Sequence, residues 1–204
     1  MRAAVRLSAL ATLALGVAIF SGCDARPRHA AEAPASAPPP TQPTAPAQGQ
    51  VPVYTYEIVR TYPHDRAAFT QGLIFLKGIF LESTGLNGSS SLRKVDPATG
   101  RVLQLTRVPA QYFAEGMTVL GGKIYQLTWQ SHKGFIYDLE RFEKEAEFNY
   151  AGEGWGLTTD GTALILSDGT HELRFLDPKT FKVTRSIAVF HDGQPLRNLN
   201  ELEY

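Results

Sequence analysis

From Val53 onwards the chain repeats itself: Gln71-Gly72-Leu73, Glu115-Gly116-Met117, Trp155-Gly156-Leu157 and Asn200-Glu201-Leu202 recur at separations of 44, 40 and 45 residues. A period of this size marks one supersecondary unit that cannot bury its apolar faces until neighbours stack on it. Each repeat opens with a strand, a turn and a second strand: Leu73 to Leu76 with Ile79 to Glu82, Met117 to Leu120 with Lys123 to Thr128, and Leu157 to Thr159 with Leu164 to Ser167. A third strand runs to Asp96, Asp138 and Asp177, where Asp-Pro (Asp96-Pro97, Asp177-Pro178) supplies turn chemistry, and a fourth follows, as in Arg101 to Val108 and Lys182 to Val189. Four antiparallel strands per repeat describe a propeller blade, and no apolar period of helical spacing extends beyond two turns. The expected fold class is all-β, a β-propeller. A sandwich, the alternative, shows no such long-range self-similarity.

Three blades are complete, a fourth has begun at Tyr204, and Tyr54 to Thr61 is expected to be a spare outer strand for a last blade. The chain therefore reads as truncated, and a five-bladed ring would need roughly 60 to 70 residues more at this period.

In a propeller the first strand of each blade lines the central channel, so equivalent rungs converge at one end of it. Gln71, Glu115, Trp155 and Asn200 form such a rung. An amide, a carboxylate, an indole and a second amide suit a polar substrate better than a packed core. Phe69 and Phe113 stand two positions earlier on the same strands, and Trp129 closes the second strand of the second repeat. With Trp155 they would form an aromatic cup around Glu115, whose pKa desolvation should raise. Phe69 and Phe113 read equally well as core aromatics between blades. An inward carboxyl at Glu115 needs a partner or a task. Glu82 is a candidate for the substrate's amine, or simply a solvated strand end.

The strings Phe69-Thr70-Gln71-Gly72-Leu73, Leu81-Glu82-Ser83-Thr84-Gly85-Leu86, Phe113-Ala114-Glu115-Gly116, Gly154-Trp155-Gly156-Leu157 and Asn200-Glu201-Leu202-Glu203-Tyr204 resemble those of the plant and bacterial type of glutaminyl-peptide cyclotransferase. They lie in order and at blade spacing over nearly all of residues 53 to 204. The resemblance implies a five-bladed propeller enzyme without a catalytic metal or other cofactor. Its substrates would be peptides or proteins with N-terminal Gln, converted to pyroglutamate with loss of ammonia. It implies Glu115 as acid/base, with Phe69, Gln71, Phe113, Trp129, Trp155 and Asn200 shaping the substrate site. The family also uses a lysine and a further tryptophan from its last two blades, which lie beyond Tyr204. The rival class is a non-catalytic propeller that scaffolds envelope proteins through its blade edges.

Other chemistries find little support. Twenty Lys and Arg balance twenty Asp and Glu, with no run of one sign to hold a phosphate backbone, so nucleic acid is not an expected partner. The five histidines are scattered, with none spaced for zinc, and Asp160-Gly161 and Asp168-Gly169 are turns lacking the further carboxylates a calcium loop needs. Gly152-Glu153-Gly154-Trp155-Gly156 lacks the strand-to-helix setting of a dinucleotide fingerprint.

Residues 1 to 22 read as a lipoprotein-type signal: Arg2 and Arg6 precede an apolar stretch of 14 residues from Leu7 to Phe20, then Ser21-Gly22-Cys23. Fourteen residues are too short for a spanning helix, which needs roughly 20. Cys23, the one cysteine, stands where a diacylglycerol would be attached. Residues 23 to 52, rich in Ala and Pro, read as a disordered tether. The expectation is an exported monomer on the periplasmic side of a bacterial membrane, touching the bilayer only through its lipid.

Overall fold

Tight turns of left-handed backbone punctuate the repeat. In the computed structural model, which describes residues 54 to 204, strands β1 (Thr70–Leu76) and β2 (Ile79–Thr84) are joined by Lys77 and Gly78, both at positive φ. Gly121 and Gly122 do the same between β5 (Ala114–Leu120) and β6 (Lys123–Thr128). Two residues in that conformation match the twist of a hairpin, and glycine enters it without steric cost. The signal, tether and lipidation readings, including Cys23, lie outside the described residues.

β3 (Ser91–Val95) and β4 (Val102–Arg107) complete the first sheet, β7 (Lys133–Asp138) and β8 (Lys144–Asn149) the second. The third contains β9 (Leu157–Thr159), β10 (Leu164–Ser167), β11 (Glu172–Leu176) and β12 (Val183–Ala188). Each is a four-stranded antiparallel meander in sequence order, the blade unit the repeat predicts. The innermost strands β1, β5 and β9 lie side by side.

The turn after the third strand has one geometry in all three blades. The residue four positions after the Asp donates its N–H to the Asp carbonyl: Gly100 to Asp96 at 2.8 Å, Phe142 to Asp138 at 2.9 Å and Phe181 to Asp177 at 2.8 Å. All three have positive φ, where a bulky side chain costs on the order of 1 to 2 kcal/mol. Burying a phenyl ring returns roughly 1.5 to 3 kcal/mol. Phe142 is deep in the core and Phe181 stacks on Phe148 with centroids 4.4 Å apart, so packing overrides the glycine preference at both places.

The core is the set of seams between blades. Leu81, Leu92, Met117, Ile124, Phe135 and Tyr137 close the first seam; Tyr125, Leu127, Ile136, Phe148, Leu164 and Leu166 close the second. Along β6 and β7 successive residues enter opposite seams, Ile124 against Tyr125 and Phe135 against Ile136, which is the strand period of two with both faces covered. A buried polar network sits in the first seam: the Gln126 amide donates to Ser83 Oγ at 2.8 Å, Tyr137 donates to Gln126 Oε1 at 2.9 Å, and Ser83 donates to the Glu115 carbonyl. Ser167, at the same rung of the third blade as Ser83, donates to the Asn200 carbonyl at 2.6 Å.

Glycines set how closely the innermost strands approach. A methyl group on Gly116 would lie 2.6 Å from the Trp155 carbonyl oxygen, and one on Gly156 would lie 2.0 Å from that of Asn200. Any other residue would push the next blade away.

Two readings need correction, and one element is new. Tyr54 to Thr61 forms no strand and is exposed, because no sheet edge pairs with it among the described residues. Asn200 lies beside Gly156 but outside any strand, so the fourth repeat begins as irregular chain. A short hairpin, β13 (Phe190–His191) with β14 (Gln194–Pro195), follows the third blade; its Asp192-Gly193 turn, both residues at positive φ, was the available signal.

Candidate active site

Two β-bulges aim the central residues. The register of β1 against β2 shifts between Thr70 and Gly72, and that of β5 against β6 between Ala114 and Met117, so Gln71 and Glu115 both leave the regular ladder. Extra residues of this kind redirect side chains, and here both turn to the same place. Gln71 Nε2 donates to Glu115 Oε2 at 2.8 Å across 44 residues of sequence.

Gln71, Phe113, Glu115, Trp129, Trp155 and Asn200 line one cavity of about 210 Å³. Gln71 and Asn200 also border a neighbouring cavity of about 240 Å³ with Thr70, Gly72, Leu73 and Glu201. The aromatic side is an edge-to-face chain, Phe69 to Phe113 at 6.0 Å and Phe113 to Trp129 at 5.7 Å between centroids. Phe69 is half exposed and stands at the outer end of this chain. Trp155 presses on Gly169, where a Cβ would fall 2.7 Å from the indole.

Glu115 is 5% exposed. Burial pushes its pKa up to about 8, against the opposing hydrogen bond from Gln71, and the nearby charge of Glu153 raises it further. Glu201, a residue the rung pattern did not single out, is likewise raised to about 8 by burial, then by Glu203 and Glu115.

Glu82 is placed differently from its reading as a solvated strand end. It is 1% exposed, with its carboxylate bonded to His64 Nε2 at 2.7 Å and Thr70 Oγ1 at 2.6 Å, and with Arg93 Nη1 3.9 Å from the other oxygen. It ties the segment leading into β1 to the first blade and is not among the residues lining the cavity. A carboxylate so enclosed needs these partners.

Glu153 stands two positions before Trp155, in phase with Phe69 and Phe113. It lies in the loop before β9, not on a strand, and one of its oxygens, Oε2, accepts from both indoles, Trp129 Nε1 at 2.7 Å and Trp155 Nε1 at 2.8 Å. Nothing local in Gly152-Glu153-Gly154 announces this, since Trp129 is 24 residues away. Among the described residues no group of three or more His, Cys, Asp or Glu gathers as a metal site. What the cavity offers is one carboxyl able to exchange a proton near neutral pH, two amides and aromatic walls.

The family model described as glutamine cyclotransferase matches residues 30 to 204. A glutaminyl-peptide cyclotransferase of Arabidopsis thaliana is 48% identical over 150 residues, which is 72% of this chain and 47% of the relative. The chain thus spans about half the length of that curated relative. The crystal structure of Myxococcus xanthus glutaminyl cyclase superposes with a TM-score of 0.66 at 36% identity, over 71% of this chain and 61% of that one. The WD40 domain of Neurospora crassa Pan2, at 16% identity and a TM-score of 0.50, covering 58% of this chain and 36% of that one, shares the bladed fold alone. With the repeat, the four-stranded blades and a match over most of its length in agreement, the chain belongs to the glutamine cyclotransferase family.

Proposed function

We propose that this protein cyclises N-terminal glutamine of peptides or proteins to pyroglutamate with release of ammonia, and that Glu115 carries the proton. The observation behind this reading is the buried Glu115 carboxyl, hydrogen-bonded to Gln71 inside an aromatic cavity and held near pH 8. A peptide α-amine ordinarily titrates at about 7.7 to 8.0, so proton exchange between it and Glu115 is close to balanced in free energy.

In the proposed reaction the neutral α-amine attacks the side-chain carboxamide carbon and a carbon–nitrogen bond forms, closing a five-membered lactam. The surplus proton on that nitrogen passes to ionised Glu115, which returns it to the carboxamide nitrogen. The old carbon–nitrogen bond breaks and ammonia leaves. Gln71 Nε2 gives one N–H to Glu115, and its second N–H, with the Asn200 amide, is available to the carbonyl oxygen as charge builds there. Phe69, Phe113, Trp129 and Trp155 exclude water that would compete with the amine. Glu82 acts from behind, holding Thr70 next to Gln71.

We further propose a five-bladed ring to which this chain contributes three blades and the start of a fourth, chemistry without a metal, and an exported monomer anchored at Cys23. The in-phase repeat supports the ring, and the order of Arg2 and Arg6, Leu7 to Phe20 and Cys23 supports the anchor.

The test is ammonia release from a Gln-leading peptide. Glu115→Gln should lower kcat by about 100-fold or more, the usual contribution of a positioned acid/base. A variant turning over at the wild-type rate would remove Glu115 from its role. Dialysis against a chelator should leave the wild-type rate unchanged.

A further inference from the structure

We propose that Glu153 is the positioning residue of this site: a single carboxylate that fixes both indole walls of the cavity and sets the charge that Glu115 experiences. The proposal rests on the cyclotransferase reading for its kinetic consequences, while its structural half stands independently.

The two indoles come from different blades. Trp129 follows β6 and Trp155 precedes β9, yet both N–H groups end on Glu153 Oε2, and Gln130 Nε2 donates to the other oxygen at 3.1 Å. Three donors leave the carboxylate little freedom to turn, and charge-assisted bonds to an anion are about twice as strong as neutral ones. The loop bearing Glu153 is itself held. Arg174, on β11, donates to the carbonyls of Ala151 and Glu153 and pairs with Asp168 at 3.1 Å. His132 Nδ1 lies against the Gly152 carbonyl. A chain of polar contacts therefore runs from the third blade through Glu153 to both aromatic walls.

The charged and titratable groups facing Glu153 are His132, Arg174 with its partner Asp168, and Glu115. The bond from Trp155, followed by those from Gln130 and Trp129, holds the Glu153 pKa below its ordinary value, so it remains an anion through the working range. Its field opposes ionisation of Glu115. If that charge is removed, Glu115 should ionise at lower pH.

The chain has two tryptophans, and both are bonded to this carboxylate, so emission excited beyond the absorption of its eight tyrosines reports on the clamp. Acid titration of the wild type should show a step in tryptophan emission below pH 4.5, the ordinary glutamate value, while far-UV circular dichroism stays constant. Glu153→Gln keeps an acceptor but cannot titrate; it should lose the step and move the Glu115 limb of the kcat/KM profile to lower pH. Glu153→Ala should shift emission to the red at pH 7 and lower kcat/KM by about 100-fold, as expected for a misplacement near 1 Å. A step that persists in Glu153→Gln, or a profile limb that does not move, overturns the proposal. Absence of turnover in the protein with its ring complete, alongside an intact fluorescence step, would instead refute the cyclotransferase reading and leave the clamp standing.

Discussion

Replacing Glu115 by Gln should make this protein more stable above neutral pH while lowering the proposed turnover. The folded chain holds the Glu115 proton to about pH 8, whereas the ordinary value is 4.5. Below pH 4.5 both folded and unfolded forms are protonated and the carboxyl carries no penalty. As pH rises the unfolded chain ionises first, so stability drains until pH passes about 8, beyond which the deficit is constant. At about 1.36 kcal/mol per pH unit, the full deficit is at most about 4 to 5 kcal/mol. Solvent screening at this partly enclosed site reduces this to roughly 3 kcal/mol. A Gln side chain at the same place still offers an oxygen to Gln71 Nε2 and never ionises. Glu201, relieved of the Glu115 charge, should contribute in the same direction. Urea denaturation followed by far-UV circular dichroism at pH 5, 7 and 8.5 measures the difference. The gain should be under about 1 kcal/mol at pH 5 and grow to roughly 3 kcal/mol at pH 8.5. A difference independent of pH, or a variant less stable at pH 8.5, would show that the carboxyl is not desolvated as described.

Two further perturbations probe the scaffold. Gly156→Ala would put a methyl 2.0 Å from the Asn200 carbonyl oxygen, so it should cost about 3 kcal/mol and reduce turnover; thermal melts and ammonia release would show both losses. Glu82→Ala removes the partner of His64 and Thr70, which should cost about 2 to 3 kcal/mol and speed tryptic cleavage after Arg66, read by gel and mass spectrometry.

The bladed fold could be read from the chain because its constraints are local. Asp96, Asp138 and Asp177 mark identical turns, Gly121-Gly122 marks a hairpin, and β9 and β10 begin and end at the residues the pattern indicates. Gln71, Glu115, Trp155 and Asn200 were legible as a set because phase in a repeat translates directly into position around an axis, and four of the lining residues are those four. The rest is nonlocal. The bulges at Gln71 and Glu115 depend on partner strands, the convergence of Trp129 and Trp155 on Glu153 depends on two blades meeting, and the enclosure of Glu82 depends on a segment that is not a strand. Tyr54 to Thr61 alternates like a strand, but alternation supplies only a face, and pairing requires an edge. Phe142 and Phe181 hide the turn that Gly100 reveals, since their rings contribute more than their backbones lose.

The missing side chains at Gly116 and Gly156 divide labour between adjacent positions. Because each hydrogen atom there keeps two backbones in near contact, the spacing of the inner ring is decided by a residue that performs no chemistry. The side chain of the preceding residue, Glu115 or Trp155, is thereby not needed to set that spacing. A new reactivity could be installed on such a ring by exchanging those neighbours singly, with the spacing left intact.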